Sequence, residues 1–360
     1  MGRMFKYFVI ICCGLVFSVE TAFSSPTQEA APHGENSAAP KFNPGEFIFE
    51  HIADSYSWHL FTVNNHHVSI PLPVVLYSKH SGFHLFFSSK VSHGHAYQGF
   101  KIAEEGAYKG KIVEEIAELE EKPFDISITK NVVSLFITCF LMLWIFLTIA
   151  RSYRQRPLSA PKGMQSFLEP IISFIRDEVA RPSIGEHKYE KFMPYLLTVF
   201  FFIWINNMMG LIPFFPGGAN VTGNISITLI LALFTFGITI INANKNYWTH
   251  IVNTPGVPWW LKAIPIMPFV ELLGLFTKPF ALMVRLFANI TAGHIIALAF
   301  FGLIFIFGGT NPMVGYGVSI PTLLFTIFMT FLELLVAFVQ AFVFTLLSAV
   351  YFGMAVEEHH

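Results

Sequence analysis

Hydrophobic positions along this chain fall into long uninterrupted runs, unlike the narrow stripes of a soluble protein. Asn131 to Ala150 is a run of about twenty residues without Asp, Glu, Lys or Arg, the length one helix needs to cross a bilayer. The stretch from Phe192 to Asn244 is also free of those charges and is too long for one span. Pro216, Gly217, Gly218, Asn220 and Gly223 mark a turn in its middle, so it reads as a helical hairpin. A second pair of spans is predicted at about Ile264–Phe307 and Ile320–Val356, joined through the Gly-Gly-Thr-Asn-Pro stretch from Gly308 to Pro312. The first of these would be about 66 Å long at 1.5 Å per residue, against a hydrocarbon core of about 30 Å. It has to tilt strongly, kink or run beyond the bilayer, and Pro265, Pro268 and Pro279 offer places to bend.

The pattern ahead of the first span is different. Arg3 and Lys6 precede an apolar stretch of about ten residues from Tyr7 to Val16, too short to span, and the small residues Ala22, Ser24 and Ser25 follow; this is the layout of a secretory signal cleaved near there, with an uncleaved anchor as the alternative. Residues 26–43 are rich in Pro, Ala, Gln, Glu and Asn and read as a disordered tether. From 44 to 125 a small polar domain is expected. Val68-Ser69-Ile70, Val74-Val75-Leu76-Tyr77 and Phe83-His84-Leu85-Phe86-Phe87 read as strands, and the Lys/Glu-rich residues 101–121 as helix. Residues 126–360 form the membrane part. Phe167–Val179, between the first two spans, alternates apolar and charged positions. It fits either an amphipathic helix lying on the membrane surface or a soluble loop helix. The fold class is therefore an all-α polytopic membrane protein of about five transmembrane helices, with a small mixed N-terminal domain.

Composition agrees. Hydrophobic residues make up 54% and charged residues 12%, where a soluble domain carries about 25% charged; the mean hydropathy is +0.57. The net charge of −1 gives no reason to invoke nucleic acid. Cys12, Cys13 and Cys139 offer neither a disulfide framework nor zinc spacing; Val-Ile-Ile ahead of Cys12 lacks the small residues of a lipoprotein site. No cofactor or metal motif is evident. Eight of the fourteen histidines fall between His51 and His95, which fits solvated side chains on an exported domain better than a metal site or a proton antenna. Arg151, Arg154, Arg156 and Lys162 follow the first span, Lys245 and Lys262 flank the third connection, and the loops near Gly217 and Gly309 carry no basic residue. The positive-inside rule puts the N-terminal domain outside and the C-terminus inside, in agreement with the signal.

The informative residues are those that stay polar inside the last two spans: Glu271, Lys278, Arg285, Asn289, His294, Glu333 and Gln340. Each charged one costs several kcal/mol if it faces hydrocarbon, so such residues mark an ion path or a partner's charge. Arginine stays protonated under essentially any condition. Arg285 therefore serves as a fixed positive charge and not as a relay, unless it is a structural ion pair with Glu271 or Glu333. Glu271, Lys278 and Arg285 are seven apart and share a helix face to within about 40°. Glu271 lies about 21 Å along the axis from Arg285, and His294 about 13 Å beyond it on nearly the opposite face. Glu333 and Gln340, also seven apart, share a face of the last helix. Titratable groups on both sides of a fixed arginine suit two half-channels that do not meet. His294 alone would fit a packing residue; with Glu333 beside it, a proton relay fits better.

Thr277-Lys278-Pro279, Leu282-Met283-Val284-Arg285-Leu286-Phe287-Ala288-Asn289 and Ala292-Gly293-His294 resemble the signature of the ATP synthase subunit a family. Asn206-Asn207-Met208-Met209-Gly210-Leu211-Ile212-Pro213 resembles that family's earlier hairpin motif, and Leu335–Glu358, with Gln340-Ala341-Phe342-Val343-Phe344, its C-terminus. The resemblance covers about 125–359. It implies a non-catalytic, proton-translocating stator subunit of the inner membrane, whose partners are a c-ring, peripheral-stalk b subunits and the remaining synthase subunits. Arg285 would be the essential stator charge and Asn289 would line the same surface. Glu271 would belong to the cytoplasmic exit path, and Asn207, His294, Glu333 and Gln340 to the periplasmic inlet. Some members carry Glu at the place of His294 and His at that of Glu333, so the two types are exchanged here. Some have Asp where Gly210 stands, so Gly210 receives no proton role. Two other classes compete. A free-standing proton-coupled transporter would show inverted repeats, and none is visible; a structural scaffold would need no titratable groups around a buried arginine.

Overall fold

The computed structural model describes Gly45, Ile48 and residues 52–63, 66–91, 95–103, 106, 108–116, 119–155, 160–212, 215–252 and 266–357. The expected signal, the tether, Cys12, Cys13, His51, His93, Arg156, Lys262 and Pro265 lie outside the described residues.

The N-terminal domain is built of short antiparallel strands. β1 (Ser57–Val63) pairs with β2 (His66–Pro71). β3 (Pro73–Ser78) lies between β4 (Gly82–Phe87) and β8 (Phe124–Asp125), and β6 (Ile112–Ile116) lies between β5 (Phe100–Ile102) and β7 (Leu119–Glu121). Val74, Leu76, Phe86, Phe100 and Ile112 form the core between the sheets. The stretches read as strands from Val68, Val74 and Phe83 are strands. Where residues 101–121 are described, they form no helix; they are strands and turns. Gly106 and Gly110 take positive φ of 83° and 77°, Ile112 and Val113 are buried, and Glu114 accepts hydrogen bonds from Ser78 and Ser81. The charge spacing that resembled helical pairs is cross-strand, with Lys101 Nζ 3.4 Å from Glu115 and 3.3 Å from Glu120. Strand pairing has overridden the helix propensity of Lys and Glu.

The membrane part is an antiparallel helical bundle. Among the described residues four helices are long and apolar enough to cross a membrane: α1 (Lys130–Gln155), α4 (Tyr189–Leu211), α7 (Ile266–Thr310) and α8 (Pro312–Val356). A shorter apolar helix, α5 (Ile225–Ile241), has 17 residues, about 26 Å of helix, and lies where the second arm of the predicted hairpin was expected. In α4, 72% of the apolar window is buried, against 11% in α7 and 17% in α8. Thus α4 is the centre of the bundle, with Tyr195, Leu196, Phe200, Phe201 and Phe202 in its core, while α7 and α8 form an outer ribbon.

Two boundaries differ from expectation. Gly308 and Gly309 are helical, and the connection shrinks to Asn311. Its side chain accepts from Met313 N at 2.9 Å while Pro312 opens α8, a capped start. A Cβ on Gly315 would stand 2.6 Å from Gly308 Cα, so these glycines bring the two helices together where a loop was expected. The last helix accordingly begins at Pro312 and not near Ile320. The segment read at Phe167–Val179 is α2 (Met164–Phe174), continued by a π-helical turn over Ile175–Ala180 and by α3 (Arg181–Ile184). Leu168, Ile175, Val179 and Ala180 pack into the main core, while Phe167 and Phe174 face outward.

Both ends of the bundle are tied. Trp58 packs edge-on against Phe215 in the α4–α5 loop, with ring centroids 5.2 Å apart, and Asn131 N donates to Asp54 at 3.1 Å. At the other end Lys188 Nζ and Asn244 Nδ2 donate to the Val356 carbonyl at 2.9 and 3.1 Å, satisfying a helix terminus that would otherwise lack partners. Asn244 follows α5 and precedes α6 (Lys245–Val252).

Candidate functional site

α7 divides into two faces. Leu282, Met283, Leu286 and Ile290 are buried, recurring at helical spacing against the bundle. Ala281, Arg285, Ala288, Asn289 and Ala292 are exposed on the other side. Arg285 thus projects from a face of small side chains, the composition that lets another helix approach closely, and Asn289 lies one turn along the same face. Among the described residues no carboxylate lies within ion-pair distance of Arg285. The alternative of a structural pair with Glu271 or Glu333 therefore finds no support in the geometry.

Four other candidates lie around the inner side of the ribbon. His294 Nδ1 stands 3.4 Å from Glu333 Oε1, with side chains 20% and 10% exposed. Gly293 makes room for this carboxylate, since a Cβ there would meet Glu333 Oε1 at 2.7 Å. On its other edge the imidazole faces α4, where a Cβ on Gly210 would stand 3.7 Å from His294 Nε2. One turn along α8 from Glu333, the Ala337 carbonyl accepts from Asn207 Nδ2 at 3.2 Å, and Asn207 Oδ1 accepts from Thr222 Oγ1 at 2.6 Å. Gln340, buried, continues the Glu333 face. The structure thus brings Asn207, His294 and Glu333 together across three helices, with Gln340 next on α8.

Glu271 belongs elsewhere. It is half-buried toward the start of α7 and interacts electrostatically with Lys278 and Tyr247. Lys278 Nζ lies 5.9 Å from the Tyr351 ring centre and 4.0 Å from Met354 Sδ. Arg285 lies between the two clusters, nine residues before His294 and fourteen after Glu271.

Sequence reading overlooked several participants. Thr222 fixes the Asn207 amide, and Thr138 Oγ1 donates to Asn206 Oδ1 at 3.1 Å. Gly210 and Gly293 matter by the space they leave. Lys130, at the start of α1, is within electrostatic range of both Asp54 and His294. A threonine or glycine in an apolar helix sends no signal until the neighbouring helix is known. Lys130 sits at a span boundary, where a lysine is ordinary.

Five apolar helices with ionisable side chains set into two of them define a polytopic membrane protein. Residues 132–353 match the family described as ATP synthase A chain, and the chain belongs to that family. It is 48% identical over 248 residues to ATP synthase subunit a 2 of Chlorobaculum tepidum, a match covering 67% of this chain and 66% of that relative. It is 43% identical over 252 residues to ATP synthase subunit a of Chloroherpeton thalassium, covering 68% and 72%. To the same subunit of Anaeromyxobacter dehalogenans it is 44% identical over 245 residues, covering 65% and 59%. The matches thus span about two thirds of these relatives' length. Residues 47–129 match a second family, described only as a domain of unknown function.

Proposed function

We propose that this chain is the proton-conducting stator subunit of a rotary ATP synthase, multi-pass in a bacterial inner membrane, with its N-terminal domain outside and its C-terminus inside. It makes no ATP itself. Protons enter at His294 and Glu333, with Asn207 and Gln340 lining the inlet. They neutralise a carboxylate on a subunit of a rotating c-ring, which then passes through lipid. After most of a turn that carboxylate meets Arg285, whose fixed charge favours the ionised form. The proton leaves past Glu271. Arg285, with Asn289 beside it, separates the two routes and prevents a direct leak. A membrane potential of 100 mV supplies about 2.3 kcal/mol per charge moved. Peripheral-stalk b subunits and the remaining synthase subunits hold the chain against the ring.

The observation that carries this reading is the setting of Arg285: exposed on a small-residue face of α7, without a carboxylate partner among the described residues, between two separated titratable clusters. Family membership and relatives named ATP synthase subunit a support it. The His294–Glu333 pair favours H⁺ over Na⁺ as the ion.

The test is ATP-driven proton pumping in inverted membrane vesicles carrying Arg285→Ala, with immunoblots to establish assembly. The reading expects an assembled complex without coupled pumping. Pumping near the unmodified level would make Arg285 structural and overturn the mechanism.

A further inference from the structure

The sheet β4–β3–β8 has two faces, and both are apolar. Val74, Leu76 and Phe86 point into the domain core. On the other side Tyr77, Phe83, Leu85, Phe87, Phe124 and Ile126 are 54%, 66%, 66%, 57%, 55% and 51% exposed. The register makes this one continuous face: Tyr77 opposes both Phe83 and Phe124, and Val75 opposes Leu85. No charged side chain interrupts it. An antiparallel sheet with one packed face ordinarily turns polar residues to water on the other. Six large side chains left about three-fifths exposed amount to roughly 700 Å² of uncharged surface, above the largest apolar patch a soluble monomer ordinarily leaves uncovered.

The position of this face points to what covers it. Its strands run directly into α1. Beyond β8, Ile126 N donates to Val75 O at 2.9 Å and Ile128 N to Pro73 O at 3.1 Å, so the ladder ends two residues before Lys130, the first residue of a membrane-length helix. At about 3.3 Å per residue the near end of the sheet stands within about 7 Å of the helix start. That is comparable to the interfacial layer of about 5–8 Å on each side of a bilayer core. Phe87, opposite Pro73, is at this near end; Phe83, opposite Tyr77, is at the far end. Tyr77 is of the type enriched at the membrane–water boundary, and Phe and Leu are the residues that interfacial elements bury there. Just beyond, α1 exposes Phe136, Phe140 and Trp144, spaced one turn apart.

We propose that the outer face of the β4–β3–β8 sheet is a lipid-binding surface. It rests on the headgroup layer at the N-terminal end of α1, and it steadies the small domain against the membrane independently of the proton path.

The test uses the full complex reconstituted into phosphatidylcholine–phosphatidylglycerol liposomes, with the native cysteines replaced by alanine. An environment-sensitive fluorophore is attached at Phe87→Cys, Phe83→Cys or, as an aqueous reference, Lys111→Cys. All three sites are exposed, so neither core is disturbed. Nitroxide-bearing lipids and aqueous iodide are then compared as quenchers. The proposal expects blue-shifted emission and loss of fluorescence to lipid nitroxide at position 87, a smaller loss at 83, and quenching by iodide alone at 111. Equal access of iodide to all three sites would overturn it. So would protection of 83 and 87 from both quenchers, which would mean that protein covers the face, either another subunit or this chain's own residues before 45.

Discussion

The Nδ1 of His294 and the Oε1 of Glu333 stand 3.4 Å apart across the hairpin of α7 and α8. They are close enough to share a charge, yet Glu333 Oε1 makes no hydrogen bond among the described residues. An acid and a base held side by side in a mostly buried setting can pass a proton when either rotates slightly. What matters is then that one partner is a carboxyl and the other an imidazole, more than which helix carries which. Exchanging them, His294→Glu with Glu333→His, is expected to keep a measurable part of coupled pumping. Either single substitution, leaving two acids or two imidazoles, should lower it by about 100-fold. Acidification of inverted vesicles on ATP addition separates these cases. A double variant no better than the singles would mean that the two groups do not act as a pair.

Gly293 holds the Glu333 carboxylate in place by leaving room for it. In Gly293→Ala the new methyl would lie 2.7 Å from Glu333 Oε1, so the carboxylate must swing away from His294. The expected result is normal assembly on immunoblots with pumping reduced toward the level of Glu333→Gln. Adding Gly293→Ala to Glu333→Gln should then cause little further loss, because both act on one group.

Gly353 is a packing position of a stricter kind. A Cβ there would fall 1.8 Å from the Ser183 carbonyl oxygen, a backbone atom of α3 that cannot move aside alone. Gly353→Ala should push α3 and the π-helical turn off α8 and destabilise the bundle by about 1–3 kcal/mol. A lowered thermal unfolding midpoint of the purified chain in detergent would register this. Gly237→Ala is the control, since nothing lies within 4 Å of a Cβ at that helical glycine.

Glu114 links the two three-stranded sheets. Burial alone would raise its carboxyl, but hydrogen bonds from Ser78 and Ser81, with His80 and His84 nearby, hold it below its usual 4.5. A carboxylate lowered in the folded state adds stability that is present above about pH 4.5 and disappears as pH falls through the native value. The strand domain should therefore lose stability as pH falls below about 4.5, and Glu114→Gln should flatten that dependence. Circular dichroism melts of the purified chain across this range test both statements.

The membrane part was readable because its signal is length. Asn131–Ala150 and Phe192–Asn244 contain no charge that interrupts them, and α1, α4 and α5 fall where those runs lie. Arg285, His294 and Glu333 stood out because charge in such runs is expensive. The turn between α7 and α8 was misplaced because Gly308 and Gly309 ordinarily mark loops; here they serve the close approach of Gly315. Residues 101–121 were misread because Lys101, Glu115 and Glu120 have the composition of a helix, while their partners lie across strands. That Asn207 reaches α8 at the Ala337 carbonyl follows from packing between distant segments, which no local pattern carries.

The one-residue turn at Asn311 leaves α7 and α8 as two antiparallel rods of 45 residues each, about 66 Å long. A core of about 30 Å encloses that whole apolar length only if the rods slant by about 60° from the membrane normal. Along such a rod each residue advances only about 0.7 Å in depth but about 1.3 Å sideways. The fourteen residues between Glu271 and Arg285 then translate mainly into lateral displacement, about 18 Å in the plane of the membrane. On a curved neighbour that displacement is an arc, so the spacing of charges along this sequence becomes an angular spacing around whatever turns beside it.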